Sequence, residues 1–257
     1  MRWNPQAYEA FADHRTRPAI DLLGRVVLDA PRRIVDLGCG SGGVTRLLAE
    51  RWPQASILAL DSSVEMLAAA REKTRAKGIE WQQVELASWC PSERFNLVFS
   101  NAALHWLADH PKWFPQLADA VAPEGVLAVQ MPSNFAAPSH ARMHELALEP
   151  PYRAHLERVV RPAPVLDAQT YYSLLAPRFE TIDIWSTEYL QILRGENPVA
   201  DWTRATWLGG LLEALPQTLR APFEAEYRRR VLGAYPKIAD GSTLFSFKRL
   251  FIVATAA

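Results

Sequence analysis

A glycine-rich turn constrains the fold of this chain more than any other feature. Residues 33–37 include three apolar residues, Ile34, Val35 and Leu37, and Gly38-Cys39-Gly40-Ser41-Gly42-Gly43 follows this run directly. The run predicts a buried strand, and the residues from the last glycine to about Arg51 are typical of a helix. Glycines at such a turn let the backbone bend tightly and approach a ligand without Cβ clashes. We therefore expect an α/β domain with a ligand-binding loop at the end of its first strand.

The remaining sequence continues this alternation and then departs from it. Further strands are predicted at residues 56–60, 80–86, 95–100, 125–131, 180–190 and 243–255, and a helix at 111–121. Strands that alternate with helices indicate a parallel, doubly wound sheet, and the late, β-branched final strand favours an antiparallel edge. We expect a single domain spanning residues 1–257. Its core would be 30–131, 180–193 and 243–257, and two helical cap insertions, 132–178 and 194–240, would cover the edge where ligands bind.

Composition excludes several classes of protein. Lys plus Arg and Asp plus Glu number 28 each, so the net charge is zero and a nucleic-acid partner is not favoured. The two cysteines, Cys39 and Cys90, make no disulfide framework, which is typical of a reducing compartment. No apolar run is long enough to span a membrane, and no signal core is evident. A cytoplasmic enzyme is predicted.

Carboxylates stand at the ends of three successive predicted strands: Asp36, Asp61 and Glu85. Asp61 is placed to accept hydrogen bonds from both hydroxyls of a ribose, and Glu85 to reach an adenine amino group. The loop also matches G-x-G-x-x-G, which is typical of nicotinamide dinucleotides, but a carboxylate at Asp36 would repel a pyrophosphate. S-adenosylmethionine has no phosphate, and its ammonium could be held by Asp36 directly or through water. We therefore favour S-adenosylmethionine and keep NAD as the alternative.

The fourth predicted strand leads into a polar and aromatic segment. Asn101 could flank a sulfonium, and the Trp106 indole could donate to an oxygen of the acceptor, although simple packing over the sheet edge would also explain the tryptophan. His140 and His144 have a metal-ligand spacing on a predicted helix. No H-E-x-x-H motif or cysteine cluster supplies a third ligand, so no metal site is predicted.

The chain resembles the trans-aconitate 2-methyltransferase family of class I S-adenosylmethionine-dependent methyltransferases. The resemblance covers nearly the whole sequence. Its segments are Trp3-Asn4-Pro5 with Tyr8 and Phe11, Arg15-Thr16-Arg17-Pro18-Ala19, Val35-Asp36-Leu37-Gly38-Cys39-Gly40, Asp61-Ser62-Ser63, Asn101-Ala102 with Trp106, the stretch from Gly125 to Pro132, and Arg249-Leu250-Phe251-Ile252-Val253-Ala254.

The resemblance implies a fold, a reaction and a set of site residues. The fold would be a Rossmann-like seven-stranded sheet with an antiparallel last strand. The reaction would be formation of a methyl ester on a carboxylate of a small organic acid, with Arg15 and Trp106 at the reacting carboxylate. The cofactor would be bound by Asp36, Gly38, Cys39, Gly40, Gly42, Asp61, Ser62, Met66, Glu85 and Asn101, and the acceptor by Tyr8, Arg15, Arg17, Trp106 and Arg204.

One segment departs from the family. Where its members have Thr-Gly-Leu-Arg-Pro, this chain has Thr206-Trp207-Leu208-Gly209-Gly210, so an arginine expected near the acceptor is missing. The reaction type is unaffected. The acceptor could still be trans-aconitate, with Arg204 or Lys248 taking over the contact, or it could be a less charged acid or a carrier-bound acyl carboxylate.

Overall fold

The computed structural model describes residues 12–160 and 163–257. These residues divide into two compact units. The sheet unit comprises Ala12–Pro132, Pro164–Thr187 and Arg249–Ala257. The helical unit comprises the described residues of Ser133–Ala163, together with Glu188–Lys248.

Seven strands form one sheet in the order β3-β2-β1-β4-β5-β7-β6. Neighbours among β1 to β5 pair in parallel, and β7 pairs antiparallel with β5. The predicted seven-stranded sheet with an antiparallel last strand is confirmed. The strands are β1 Arg33–Leu37, β2 Ser56–Asp61, β3 Ile79–Gln83, β4 Phe95–Asn101, β5 Val121–Pro132, β6 Thr181–Leu193 and β7 Thr243–Thr255.

Ten α-helices are described. They are α1 Ala12–Gly24, α2 Gly43–Arg51, α3 Val64–Lys73, α4 His110–Asp119, α5 Pro138–Ala147, α6 Arg153–Leu156, α7 Ala168–Leu175, α8 Pro198–Arg204, α9 Trp207–Ala214 and α10 Gln217–Ala234. None of these helices has the length and apolar character that a membrane span requires. The division into core and cap insertions stays a prediction. The sheet unit includes residues 164–178 of the predicted first insertion, and the helical unit includes residues 188–193 and 243–248 of the predicted core.

Two strand predictions need correction. The third strand ends at Gln83 rather than at residue 86, because Leu86 begins a short 3-10 helix, Leu86–Ser88. The fifth strand begins at Val121 rather than at residue 125. Its pairing with β4 shifts register between Phe95 and Leu97, and Glu124 has a positive φ of 56°. A β-bulge therefore accommodates the proline and glycine near the start of this strand.

The core of the sheet unit combines β-branched and aliphatic strand residues with aromatic helix residues. Val35 and Leu37 of β1 and Phe114 of α4 are fully buried. Tyr171 of α7 is buried beside Phe114, with ring centroids 4.5 Å apart. Its hydroxyl lies 2.6 Å from His110 Nδ1 and accepts a hydrogen bond from the Leu166 amide at 3.1 Å. The one polar atom of this buried ring is thereby satisfied.

Tyr227 of α10, in the helical unit, is likewise a buried ring with a hydrogen-bonded hydroxyl. It is fully buried, and its hydroxyl donates to the Ser139 carbonyl oxygen at 3.0 Å and lies 2.9 Å from Thr203 Oγ1. Because Ser139 lies in the first turn of α5 and Thr203 lies in α8, one phenol hydroxyl joins three helices.

His140, the residue after Ser139, is buried in an uncharged state. Its Nδ1 lies 3.2 Å from Ser139 Oγ. Burial, with a smaller effect from the nearby His144, lowers the pKa of His140 to about 4. The imidazole is therefore neutral at pH 7 in the folded protein.

This burial predicts sensitivity to mild acid. An unfolded histidine titrates near 6.5, so between pH 6.5 and 4 the unfolded chain binds a proton that the folded chain does not, and stability falls as the pH falls. Lowering the pH from 7 to 5 should reduce the free energy of unfolding by about 2 kcal/mol more in the wild type than in His140→Gln. Urea unfolding at the two pH values measures the difference, and equal losses in the two proteins would contradict it.

Candidate active site

The glycine loop between β1 and α2 is held in a left-handed backbone conformation. Gly38, Gly40 and Gly42 have φ values of 77°, 54° and 77°. A Cβ at Gly38 would lie 2.1 Å from Ala103 Cβ, and one at Gly42 would lie 2.6 Å from the Trp81 ring. A Cβ at Gly40 would meet no atom within 4 Å. Gly38 and Gly42 are therefore required by close packing, whereas Gly40 borders open space.

Asp61 connects this loop to the turn after β2. Its Oδ2 accepts a hydrogen bond from the Gly40 amide at 2.8 Å, and its Oδ1 accepts one from the Ser63 amide at 2.9 Å. Burial raises the pKa of Asp61, although the Ser63 and Gly40 amides lower it in part. Each carboxylate oxygen has acceptor capacity left, so Asp61 could also bind two ligand hydroxyls.

Asp36 lies beneath the loop and is almost completely buried. Its Oδ2 accepts a hydrogen bond from Thr45 Oγ1 of α2 at 2.6 Å. Burial raises its pKa to about 7, while the Thr45 hydroxyl acts in the opposite direction and the Asp61 charge adds to the increase. Asp36 thus supplies a partial negative charge near neutral pH.

Cys39 lies inside the loop as a buried free thiol. Burial raises its pKa, and the negative charges of Asp36 and Asp61 raise it further. The thiol stays protonated at neutral pH, which makes it a packing group rather than a nucleophile.

The ends of β3 and β4 contribute polar groups of different kinds. Asn101 ends β4, and within the described residues its buried Oδ1 has no hydrogen-bond partner. Trp106 is half-buried in the 3-10 helix Leu104–Trp106, with its ring centroid 4.8 Å from that of His105. Glu85 is exposed just before the 3-10 helix that follows β3, rather than on the strand itself, and its charge raises the pKa of Asp61.

The other residues predicted for the site are more dispersed. Ser62 is exposed in the turn after β2, and Met66 is buried in α3, where its amide donates to Ser63 Oγ at 3.1 Å. Arg17 is exposed on α1. Arg204 ends α8 in the helical unit and forms an ion pair with Glu224 of α10. Tyr8 and the side chain of Arg15 lie outside the part of the chain that the structure describes.

Sequence reasoning missed three residues that shape the loop. Thr45 binds Asp36, Trp81 packs against Gly42, and Ser100 Oγ donates to the Leu37 carbonyl oxygen at 2.9 Å. Only Thr45 carried a signal, as a lone hydroxyl in the first turn of an otherwise apolar helix face. Trp81 of β3 meets the glycine loop and Ser100 of β4 bonds to β1, so both contacts depend on the folded sheet.

Comparisons with known proteins agree with this architecture. A family described as a methyltransferase domain matches residues 34–125. The trans-aconitate 2-methyltransferase of Acidovorax sp. (strain JS42) is 44% identical over 99% of this chain and 98% of its own length. That of Azoarcus sp. (strain BH72) is 44% identical over 98% of both chains. The crystal structure of a putative methyltransferase from Bacillus halodurans has a TM-score of 0.59 and 13% identity, covering 93% of this chain and 98% of that one.

The sheet order, the antiparallel last strand and the glycine loop with Asp61 at the next strand end define a class I, S-adenosylmethionine-dependent methyltransferase. At 44% identity over nearly the full length, the chain belongs to the trans-aconitate 2-methyltransferase family.

The loop geometry predicts different costs for two alanine substitutions. Gly40→Ala introduces only left-handed backbone strain, about 1 kcal/mol. Gly38→Ala adds a clash with Ala103 and should lower the free energy of unfolding by about 2 kcal/mol more. Urea denaturation of both variants measures the difference. Equal destabilisation would show that the loop is not packed against Ala103 in this way.

Proposed function

We propose that this protein transfers the methyl group of S-adenosylmethionine to a carboxylate of trans-aconitate, giving a monomethyl ester. Trans-aconitate is proposed as the acceptor because this chain is 44% identical, over 99% of its length, to a relative named for this reaction. S-adenosylmethionine is supported as the methyl donor by the Asp61 carboxylate, which the Gly40 and Ser63 amides fix at the end of β2.

The donor site fits a ligand that offers hydrogen-bond donors and positive charge. Asp61 would accept hydrogen bonds from the two ribose hydroxyls. Asp36 is turned toward Thr45, so we expect it to act on the ammonium mainly through its charge, which a nearby cation would favour by lowering its pKa. The buried Asn101 Oδ1, with no partner among the described residues, is a further acceptor at this edge.

The same features argue against a dinucleotide. A pyrophosphate at this loop would lie close to the Asp36 carboxylate, whereas Asp61 at the end of β2 fits the ribose of either cofactor. Phosphates favour helix N-termini without neighbouring carboxylates. We therefore propose S-adenosylmethionine rather than NAD as the bound cofactor.

We expect the protein to align the methyl donor with the acceptor carboxylate rather than to act by acid–base catalysis. When bound, S-adenosylmethionine supplies a methyl group on a positively charged sulfur. A carboxylate acceptor is already ionised at pH 7, so no general base is required. We expect Arg15 and Arg17 to hold carboxylates by paired hydrogen bonds, and Tyr8 and Trp106 to exclude water around the reacting atoms.

A second candidate acceptor is an acid with fewer carboxylates. The missing arginine between Thr206 and Gly210 needs a replacement if three carboxylates are to be bound. Arg204 is already ion-paired with Glu224, and Glu224 also lies 3.8 Å from Arg228. Recruiting Arg204 would require breaking that pair, which favours a less charged acid.

We also propose a cytoplasmic location and a small-molecule acid as the partner. Cys39 and Cys90 are both free thiols, as expected in a reducing compartment. The zero net charge gives no electrostatic attraction for nucleic acid.

Removing the Asp61 carboxylate should weaken donor binding. Asp61→Ala should reduce affinity for S-adenosylmethionine by about 2 kcal/mol, the scale of hydrogen bonds to a charged group. Isothermal calorimetry on the folded variant measures this, and Asp183→Ala on β6, also an exchange of a carboxylate for a methyl, is the matched control. Unchanged affinity in Asp61→Ala would contradict the assignment.

A methyl-transfer assay distinguishes the two acceptors. If trans-aconitate is the substrate, its kcat/KM should exceed that of a monocarboxylic analogue of similar size by about a hundred-fold, because the extra carboxylates gain charged hydrogen bonds. The reverse preference would establish the less charged acid while leaving the methyl-transfer reaction in place. Loss of turnover with both acids would contradict carboxyl methylation itself.

A further inference from the structure

A cavity of about 270 Å³ lies within the helical unit. It is bordered by the segment after β5, by α5, by the chain after α6 and by α9. The side chains that shape it are Phe135, His140, Met143, His144, Trp207 and Leu211, with small aliphatic residues between them. The volume is near the lower end for ligand pockets, so it suits a small molecule.

Three rings form one corner of the cavity. Phe135 and Trp207 meet edge to face, with centroids 5.5 Å apart and an angle of 84° between planes. The His140 ring lies 5.5 Å from Phe135 and 6.2 Å from Trp207, again edge to face. Met143 and Leu211 are buried and add aliphatic walls. Such a surface favours the apolar body of a ligand, and an aromatic body most of all.

His140 is the fixed polar group in these walls. Its Nδ1 faces Ser139 Oγ, and among the described residues no other hydrogen bond is made by the ring. The neutral imidazole has one donor and one acceptor, so Nε2 remains for a ligand. Ser139 is held from both sides, since its carbonyl accepts from Tyr227 and its amide donates to the Tyr235 hydroxyl at 3.3 Å. The position of the imidazole is thus set before any ligand binds.

The lining of this cavity disfavours a charged ligand. None of the described residues that line it is Lys, Arg, Asp or Glu. Among these lining residues a tricarboxylate would find no cationic partner, and an unpaired buried charge is very costly. An uncharged molecule meets no such penalty.

We propose that this cavity binds a small uncharged molecule with an aromatic body and one hydroxyl or carbonyl group. The aromatic body packs against Phe135 and Trp207, and the polar group hydrogen-bonds to His140 Nε2.

The test uses three probes that differ in one property each: benzyl alcohol, toluene and benzoate. Ligand-observed NMR titration of the full-length protein at pH 7 should show that benzyl alcohol binds. Toluene should bind about ten-fold more weakly because it lacks the hydrogen bond, and benzoate more weakly still. No binding of benzyl alcohol, or tighter binding of benzoate, would overturn the proposal.

Variants locate the binding. Leu211→Trp fills the cavity and should abolish binding of benzyl alcohol, whereas Leu232→Trp makes the same exchange on the exposed side of α10 and should leave it unchanged. His140→Leu should reduce benzyl alcohol binding to the level of toluene. If Leu211→Trp does not fold, Ala136→Phe, in the loop that lines the cavity, takes its place. Equal binding by the filled variant and by Leu232→Trp would refute the site, whatever the methyl-transfer assay shows.

Discussion

The Asp61 carboxylate is the group on which the candidate active site depends. Its two oxygens accept hydrogen bonds from the Gly40 amide and the Ser63 amide, so a single side chain fixes both the glycine loop and the turn that begins α3. Gly38 and Cys39 donate to the carbonyl oxygen of Leu60, the residue before it. The loop is therefore positioned by the neighbouring strand, and the side chain that does this is the one proposed to bind the donor.

Concentrating negative charge at this point has an electrostatic cost. Asp36 and Asp61 are both desolvated, their charges oppose each other, and the pKa of Asp36 rises to about 7. Burial of like charges is unfavourable, and a cationic ligand would relieve it. Asp36, beneath the glycine loop, would also repel a phosphate. Selectivity for a sulfonium cofactor over a dinucleotide thus follows from carboxylate burial more than from the glycines, which both classes of site share.

The helical unit is built on a different principle. Its core is organised by Tyr227, whose hydroxyl satisfies groups on α5 and α8, and by Arg230, which forms bidentate hydrogen bonds with Glu149 at 2.8 Å and contacts Glu226 at 2.7 Å. The Tyr227 contact holds the start of α5, next to the buried and neutral His140. Arg230 binds Glu149 just after the end of α5. Arginine ion pairs also join helices in this unit, as Arg204 of α8 does with Glu224 of α10.

The sequence by itself determined the sheet, the antiparallel last strand and the loop carboxylates, because apolar periodicity and glycine spacing are local signals. The sequence placed Glu85 on a strand, although a 3-10 helix begins directly after it. It also began β5 too late, because the bulge in this strand depends on pairing with β4. Only the tertiary structure decided that Asp36 faces Thr45 and that Trp207 and His140 border one cavity. Those facts depend on burial and on contacts between residues distant in the chain, which no local pattern encodes.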